Sequence, residues 1–243
     1  MSCGLSVYRT MRLQVYLSHN GVSSRRKAMD LIQQGRVAVN GKVIKEPSSA
    51  VVPAKDKVYV NGRLVEEKSY EYLLLNKPGG YVTTTQDRHA EKTVLDLLPE
   101  ALRHLKPVGR LDKDTEGLLL LTNDGELAYR LTHPKFRVDK TYFVRLAGSL
   151  PAQGIRQLER GVLLEGTRTA PAKIKKVKTV SGKSEFEITI HEGRKRQVRL
   201  MLEAVGHTVV YLKRVAQGPL VLGNLRTGSW RLLSSEEMKR KFL

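Results

Sequence analysis

Gly109-Arg110-Leu111-Asp112-Lys113-Asp114-Thr115-Glu116-Gly117 runs straight into Leu118-Leu119-Leu120-Leu121-Thr122-Asn123-Asp124-Gly125. A turn dense in charge opens an apolar run of strand length, and a second turn closes it, because Asn, Asp and Gly supply turn conformations. A carboxylate at the lip of a buried strand is held by a rigid element and stays within reach of a ligand. Asp112 and Asp114 equally suit a local role, accepting backbone hydrogen bonds within the turn. The rest of the chain decides between these readings.

With 243 residues there is room for one large domain, or for a large and a small one. Lys and Arg number 43 against 24 Asp and Glu, a net charge of +19. Without a basic amphipathic or membrane-spanning segment, that surplus points to polyanions. Leu73–Leu75 and Leu118–Leu121 are strand-length and far too short to cross a bilayer. Cys3 is the single cysteine, which excludes a disulfide framework and cysteine-rich metal sites, and the six His show no paired ligand spacing. Residues 1–10 lack the apolar core of a secretory signal and read as an unstructured leader, so a cytoplasmic protein is expected. Ser181-Gly182-Lys183-Ser184 ends like a phosphate loop, but Val177 stands where that loop needs glycine. No dinucleotide Gly-x-Gly-x-x-Gly follows a strand, and one cysteine cannot build a zinc deaminase site. Chemistry without a metal or other cofactor is expected.

From Arg12 the pattern is helical: Leu13, Tyr16 and Leu17 recur at i, i+3 and i+4 until His19-Asn20-Gly21. Ser23 or Ser24 suits the cap of a second helix through Gln34, with Ala28, Leu31 and Ile32 facing inward and Gly35 ending it. Val37-Ala38-Val39, Asn40-Gly41 and Lys42-Val43-Ile44 read as a hairpin, and Val58-Tyr59-Val60 before Asn61-Gly62 as a further strand. Arg12, Arg25, Arg26, Lys27, Arg36 and Lys42 stud this unit. A solvated face explains such charges in general; the lack of an interleaved acid before Asp30 favours phosphate contact. Arg12-Leu13, Gly21-Val22-Ser23-Ser24-Arg25-Arg26, Leu31-Ile32, Gly35-Arg36-Val37 and Val39-Asn40-Gly41 together resemble the S4 domain, which implies recognition of structured RNA by shape and backbone.

A domain over 11–64 is therefore expected, then a charged linker over 65–69, then a larger domain over 70–243. In the larger domain strands are expected at Tyr70–Leu75, Thr141–Leu146 and Glu185–Ile190, and helices around Val94–Leu98, Gly125–Leu131 and Gln153–Leu158. Mixed elements without strict alternation predict an α+β fold with a mainly antiparallel sheet. His191-Glu192-Gly193-Arg194-Lys195-Arg196-Gln197-Val198-Arg199 leads into a helix ending at Gly206, whose apolar stripe is Val198, Met201, Leu202 and Val205. Arg199 lies about 100° from Val198, on the flank of that stripe, where a cation either snorkels or meets an acid. Alternation puts Tyr142 on one strand face with Val144 and Leu146, a position common for a plain core tyrosine.

Asn76-Lys77-Pro78-Gly79-Gly80, Gly109-Arg110-Leu111-Asp112, Lys140-Thr141-Tyr142 and Glu192-Gly193-Arg194-Lys195-Arg196-Gln197-Val198-Arg199, in that order, resemble the pseudouridine synthases that modify ribosomal RNA. The likeness is to the branch holding small-subunit synthase A and large-subunit synthases B, E and F. The runs from Thr115 to Leu127 and from Leu131 to Pro134 bring it nearest the B type. It spans the chain from about Met11 onward. Lys195 stands where relatives often carry Asn, and Leu200 where they often carry Arg.

The resemblance implies isomerisation of uridine to pseudouridine in ribosomal RNA, of the large subunit by the B-type runs, on a uridine turned out of its stack. It assigns catalysis to Asp112, Tyr142 and Arg199. Asp112 either attacks the ribose anomeric carbon or removes the 2′ proton; both routes stay open. Arg199 would pair with Asp112 and keep it charged, and Tyr142 would pack on the uracil and help move the ring proton. Arg110 is a second candidate partner for the carboxylate: it lies two residues before Asp112, so in an extended strand both point the same way. RNA contacts are expected from Arg12, Arg25, Arg26, Lys27, Arg36, Lys77, Arg110, Arg194, Lys195 and Arg196. The implied partner is ribosomal RNA or a pre-ribosomal particle, met by a monomer away from membranes. A non-catalytic ribosome-assembly factor fits the charge equally, and a synthase acting on transfer RNA keeps the chemistry; the joint presence of Asp112, Tyr142 and Arg199 favours catalysis.

Overall fold

The computed structural model describes residues 10–84 and 92–242; the expected leader lies outside them except for Thr10. The chain forms two compact units, Met1–Tyr70 and Glu71–Leu243.

The first unit comprises β1 (Met11–Arg12), α1 (Leu13–His19), α2 (Arg25–Gln33), β2 (Val37–Val39), β3 (Lys42–Val43), β4 (Ala50–Val51), β5 (Val58–Val60) and β6 (Arg63–Leu64). Of the two candidate caps, Ser24 serves α2, its hydroxyl accepting from the Lys27 amide at 3.3 Å. Asn40 and Gly41, at φ +51° and +79°, make the tight turn joining β2 to β3. The sheet runs β3-β2-β5-β6, with β1 and β4 paired separately. Leu13, Tyr16, Leu17, Ala28, Ile32, Val37, Val51 and Val58 form the core, so both helices bury the faces their spacing predicts. Residues 65–69, expected as a linker, lie on this unit. Val65 packs on its core, Asn20 Oδ1 accepts from the Lys68 amide at 2.8 Å, and His19 Nε2 meets the Lys68 carbonyl at 2.7 Å.

The second unit contains β7 (Tyr72–Lys77), β8 (Lys106–Pro107), β9 (Glu116–Thr122), α3 (Gly125–Thr132), β10 (Lys140–Leu146), α4 (Ala152–Arg160), β11 (Leu163–Leu164), β12 (Thr167–Arg168), β13 (Lys173–Val180), β14 (Lys183–Ile190), α5 (Gln197–Ala204), β15 (Val209–Gln217), β16 (Leu220–Val221), β17 (Trp230–Leu233) and α6 (Ser235–Phe242). The main sheet has the order β13-β14-β10-β15-β9-β7-β17, with β16 on β15 and β8 on β9. Its pairings are antiparallel except β9 with β15. The fold is α+β, as expected. The first strand falls two residues later than predicted, and Val94–Leu97 forms a 3-10 turn closed by a Thr93–Asp96 capping box rather than an α-helix.

Leu118, Leu119, Leu120 and Leu121 are all fully buried, so β9 is covered on both faces. Each such leucine contributes roughly 1.5–3 kcal/mol through burial. Gly117 permits the parallel pairing: it sits at φ +105°, and a Cβ there would lie 2.2 Å from the Arg214 carbonyl oxygen. A side chain would hold β9 and β15 apart. Leu73, Leu75, Leu119 and Leu121 pack with Val94, Leu98, Leu105 and Leu111 on one side of this end of the sheet. A second core joins β10, β14 and β15 to Val198, Met201 and Leu202 of α5.

Candidate active site

Asp112 lies in the loop between β8 and β9, half-buried, and two buried groups hold that loop. Thr83 clamps its near end. The Thr83 hydroxyl donates to the Leu111 carbonyl at 2.9 Å and accepts from the Leu111 amide at 3.2 Å. Lys77 clamps the far end, its ammonium donating to the carbonyls of Pro78, Asp112, Lys113 and Thr115 at 2.8–3.2 Å. Burial pushes the Lys77 ammonium down to about 8, while Asp114, Glu116 and Asp112 pull the other way. The expectation that Lys77 touches RNA is corrected here: it is 0% exposed and its donors are occupied. The Asn-Lys-Pro-Gly-Gly motif looks like a surface turn, but Lys77 is the last residue of a buried strand.

Asp112 opens into a cavity of about 590 Å³ that Tyr142 also lines. Tyr142 bridges the two cores of the unit. Its position on β10 faces Arg214 on β15. Thr141 pairs with Ala216 but Tyr142 with Arg214, so Val215 is an extra residue in β15. On a regular strand positions 214 and 217 would face opposite sides; the bulge turns both into the cavity. Arg214 is 2% exposed and Gln217 1% exposed. Arg214 Nε donates to the Leu118 carbonyl at 2.8 Å. Among the described residues Arg214 Nη2, Gln217 Oε1 and Thr115 Oγ1 have no hydrogen-bond partner. Lys140 adds a second buried cation to this floor, its ammonium on the Val138 and His191 carbonyls at 3.1 and 3.2 Å. Burial, then the charge of Arg214, lowers its pKa.

Arg199 departs from expectation. Its guanidinium donates to the Val209 carbonyl at 3.1 Å and reaches the Asp114 carbonyl at 3.5 Å. It makes no ion pair with Asp112 and is absent from the cavity wall, and Arg110 does not take its place. Among the described residues the Asp112 carboxylate has no ion-pair partner. The helical flank position of Arg199 is as read; backbone carbonyls, rather than the carboxylate, meet it there.

Arg110, Lys195 and Arg196 are exposed at the cavity wall, giving it a cationic rim. Arg194 also lines the cavity and is held there by the Thr167 and Arg168 carbonyls at 3.3 and 3.2 Å and by Glu192 at 3.2 Å. Glu192 also accepts from Gln197 and from the Ala170 amide, so the 192–197 turn is stapled from within. Arg196, at φ +53°, starts α5 from the left-handed region, which throws its side chain outward. In the first unit Arg12, Arg25, Arg26, Lys27 and Arg36 are all exposed. Three of them fill the first turn of α2, where the helix dipole disfavours cations and no acid offsets them. Among the described residues no group of three His, Cys, Asp or Glu side chains is placed to hold a metal, and no helix is long and apolar enough to cross a membrane.

An aspartate at the head of a buried strand, in a cavity with a cationic rim, following an S4-like module in the chain, defines an RNA-modifying enzyme. Residues 71–204 match the RNA pseudouridylate synthase family, to which the chain belongs. Residues 11–56 match the S4 domain. The chain is 48% identical over 231 residues to the ribosomal large subunit pseudouridine synthase B of Bacillus subtilis strain 168, covering 94% of each. It is 41% identical over 233 residues to an uncharacterised RNA pseudouridine synthase of Aquifex aeolicus strain VF5, covering 96% of this chain and 94% of that one. A crystal structure of a pseudouridylate synthase superposes with a TM-score of 0.67 at 33% identity, over 96% of this chain and 100% of that one. Arg214, Gln217, Lys140 and Thr115 escaped the sequence reading as site residues. The Val209–Leu212 run before Lys213-Arg214 was the available signal for β15, but charged residues and the bulge obscure its alternation.

Proposed function

We propose that this enzyme converts uridine to pseudouridine in ribosomal RNA, and in that of the large subunit. The observation that carries the reading is the Asp112 carboxylate, free of any ion pair among the described residues, sharing one cavity with the Tyr142 ring. Asp112 begins the reaction in one of two ways. It bonds to the ribose anomeric carbon as the bond to uracil N1 breaks, or it takes the 2′ proton as the base departs. The uracil turns and C5 bonds to the anomeric carbon, as the bond to Asp112 breaks in the first route or as Asp112 returns the 2′ proton in the second; the C5 proton is then lost as N1 gains one. Substrate and product are isomers, so the balance closes without an oxidant or energy source. Tyr142 supports the turned-out base.

Arg12, Arg25, Arg26, Lys27 and Arg36 of the S4 module contact RNA phosphates, and Arg110, Lys195 and Arg196 guide the strand carrying the target into the cavity. The chain works as a monomer in the cytoplasm. The large-subunit assignment draws on the name carried by the Bacillus subtilis relative. Mapping pseudouridine across ribosomal and transfer RNA from cells with and without the protein tests the substrate, and Asp112→Asn tests the chemistry. One large-subunit site is expected to vanish in both. RNA affinity of the purified variant is expected to stay within a few-fold, since the amide keeps the carboxylate's shape. Near wild-type turnover by Asp112→Asn, or loss of a site only in transfer RNA, refutes the corresponding part.

A further inference from the structure

We infer that Arg214 is a further catalytic residue: its Nη2 donates to a carbonyl oxygen of the uracil, and its charge holds the base as it leaves the ribose. The inference rests on the pseudouridine reading above. Arg214 is 2% exposed and lines the cavity that Asp112 opens into, and its buried Nη2 has no partner among the described residues. Its Nε bond to the Leu118 carbonyl fixes the guanidinium and would be served equally by a neutral donor.

A buried charge without a contacting acid is costly, and one beside a second cation more so. Among the described residues no carboxylate forms an ion pair with Arg214, while Lys140 stands near enough for the two charges to repel. The fold nevertheless invests a bulge, at Val215, in bringing Arg214 and Gln217 to the same cavity wall, and each carries a buried polar atom without a partner among the described residues. Hydrophobic packing would be better served by a leucine. The arrangement makes physical sense when something rich in acceptors enters.

The reaction supplies that partner. When the bond between N1 and the anomeric carbon breaks, its electron pair goes to N1 and is shared onto O2 and O4. The detached uracil carries a negative charge until C5 forms the new bond, loses its proton, and N1 is protonated. A preset donor aimed at a carbonyl oxygen strengthens as that charge develops, so it lowers the barrier rather than merely tightening binding. Arg214 faces Tyr142 across β10 and β15, which sets a fixed cation beside the ring proposed to support the base.

The test compares full-length wild type, Arg214→Met and Arg214→Lys in single-turnover reactions. The substrate is a ribosomal RNA fragment carrying the mapped target, as uridine or as 5-fluorouridine. Fluorine makes the departing base a weaker base that needs less help. Release from the N-linked nucleoside is read by mass spectrometry of RNA digests. Arg214→Met is expected to keep RNA affinity within about three-fold and to lose roughly 10²–10³-fold in rate on uridine, the scale for one lost oxyanion donor. On 5-fluorouridine the loss is expected to be at least ten-fold smaller. Arg214→Lys, which keeps charge and length if the methionine variant folds poorly, is expected to lose less and to show the same substrate dependence. Equal losses on both substrates, or an unchanged rate, overturn the assignment while leaving the enzyme's reading intact. A wild-type chain that forms no pseudouridine in any ribosomal RNA removes that reading and this inference with it.

Discussion

Replacing Gly117 by alanine tests whether the parallel contact between β9 and β15 is as tight as it stands. Two costs add. At φ +105° a residue bearing a Cβ is strained by about 1–3 kcal/mol. The new methyl would lie 2.2 Å from the Arg214 carbonyl oxygen, 2.7 Å from its nitrogen and 2.9 Å from its carbonyl carbon. All three are backbone atoms, so no rotamer relieves the clash and the strands must part by roughly 1 Å, an overpacking cost of about 1–3 kcal/mol. The sum is about 2–6 kcal/mol. For a unit of this size each kcal/mol shifts the midpoint by roughly 2–4 °C, so melting is expected to fall by about 4–24 °C. Gly148→Ala is the control, because Gly148 has φ +120° with no atom within 4 Å of the added Cβ and carries strain alone. Melting of the full chain followed by circular dichroism provides the assay, with single-turnover activity beside it. A Gly117→Ala protein that melts no lower than Gly148→Ala would refute the close-approach argument.

Three further outcomes are expected. Lys77 ionises near pH 8 in the folded chain against 10.5 unfolded, so the cost of charging it is fully present below about 8 and is relieved as pH rises toward 10.5. Its contribution to stability therefore grows with pH while the Asp112 loop loses a donor. Activity should fall through about pH 8 without a matching fall in melting temperature, and an activity profile flat from about pH 7 to 9.5 would count against this. Arg199→Ala should destabilise the fold by about 1–3 kcal/mol in urea titrations, since a charged donor to the Val209 carbonyl is removed; melting equal to wild type would show that contact to be idle. Changing Arg25, Arg26 and Lys27 together to glutamine should lower the slope of log affinity against log salt by about 2–3 on structured RNA, and an unaltered slope would place the RNA elsewhere.

The parts of the fold that can be read locally were legible. Leu118–Leu121 is a strand because four apolar residues lie between two turns, and α2 starts where a serine can cap it. Helical spacing also located Arg199 on the flank of α5. It could not say what would come to meet that flank, which is β15 and the far end of the Asp112 loop rather than the carboxylate. Lys77 shows the same limit in reverse: its neighbours Pro78 and Gly79 suggest exposure, and only the pairing of β7 with β9 buries it. The polar floor was least legible. A bulge shifts the phase of a strand by one residue, so simple alternation puts Arg214 and Gln217 on opposite faces. Val94–Leu97 had the composition of a helix but only one turn of length.

The parallel contact has a consequence during synthesis. Arg214 and the Leu118 carbonyl it bonds are 96 residues apart in sequence. At about 5–20 residues per second a ribosome takes roughly 5–20 s to add that span. The aspartate loop and its leucine strand thus leave the ribosome well before the strand that finishes the cavity, and β9 meanwhile presents an unpaired edge. A nascent chain of this protein, though born beside ribosomal RNA, has no assembled site with which to act on it until β15 arrives.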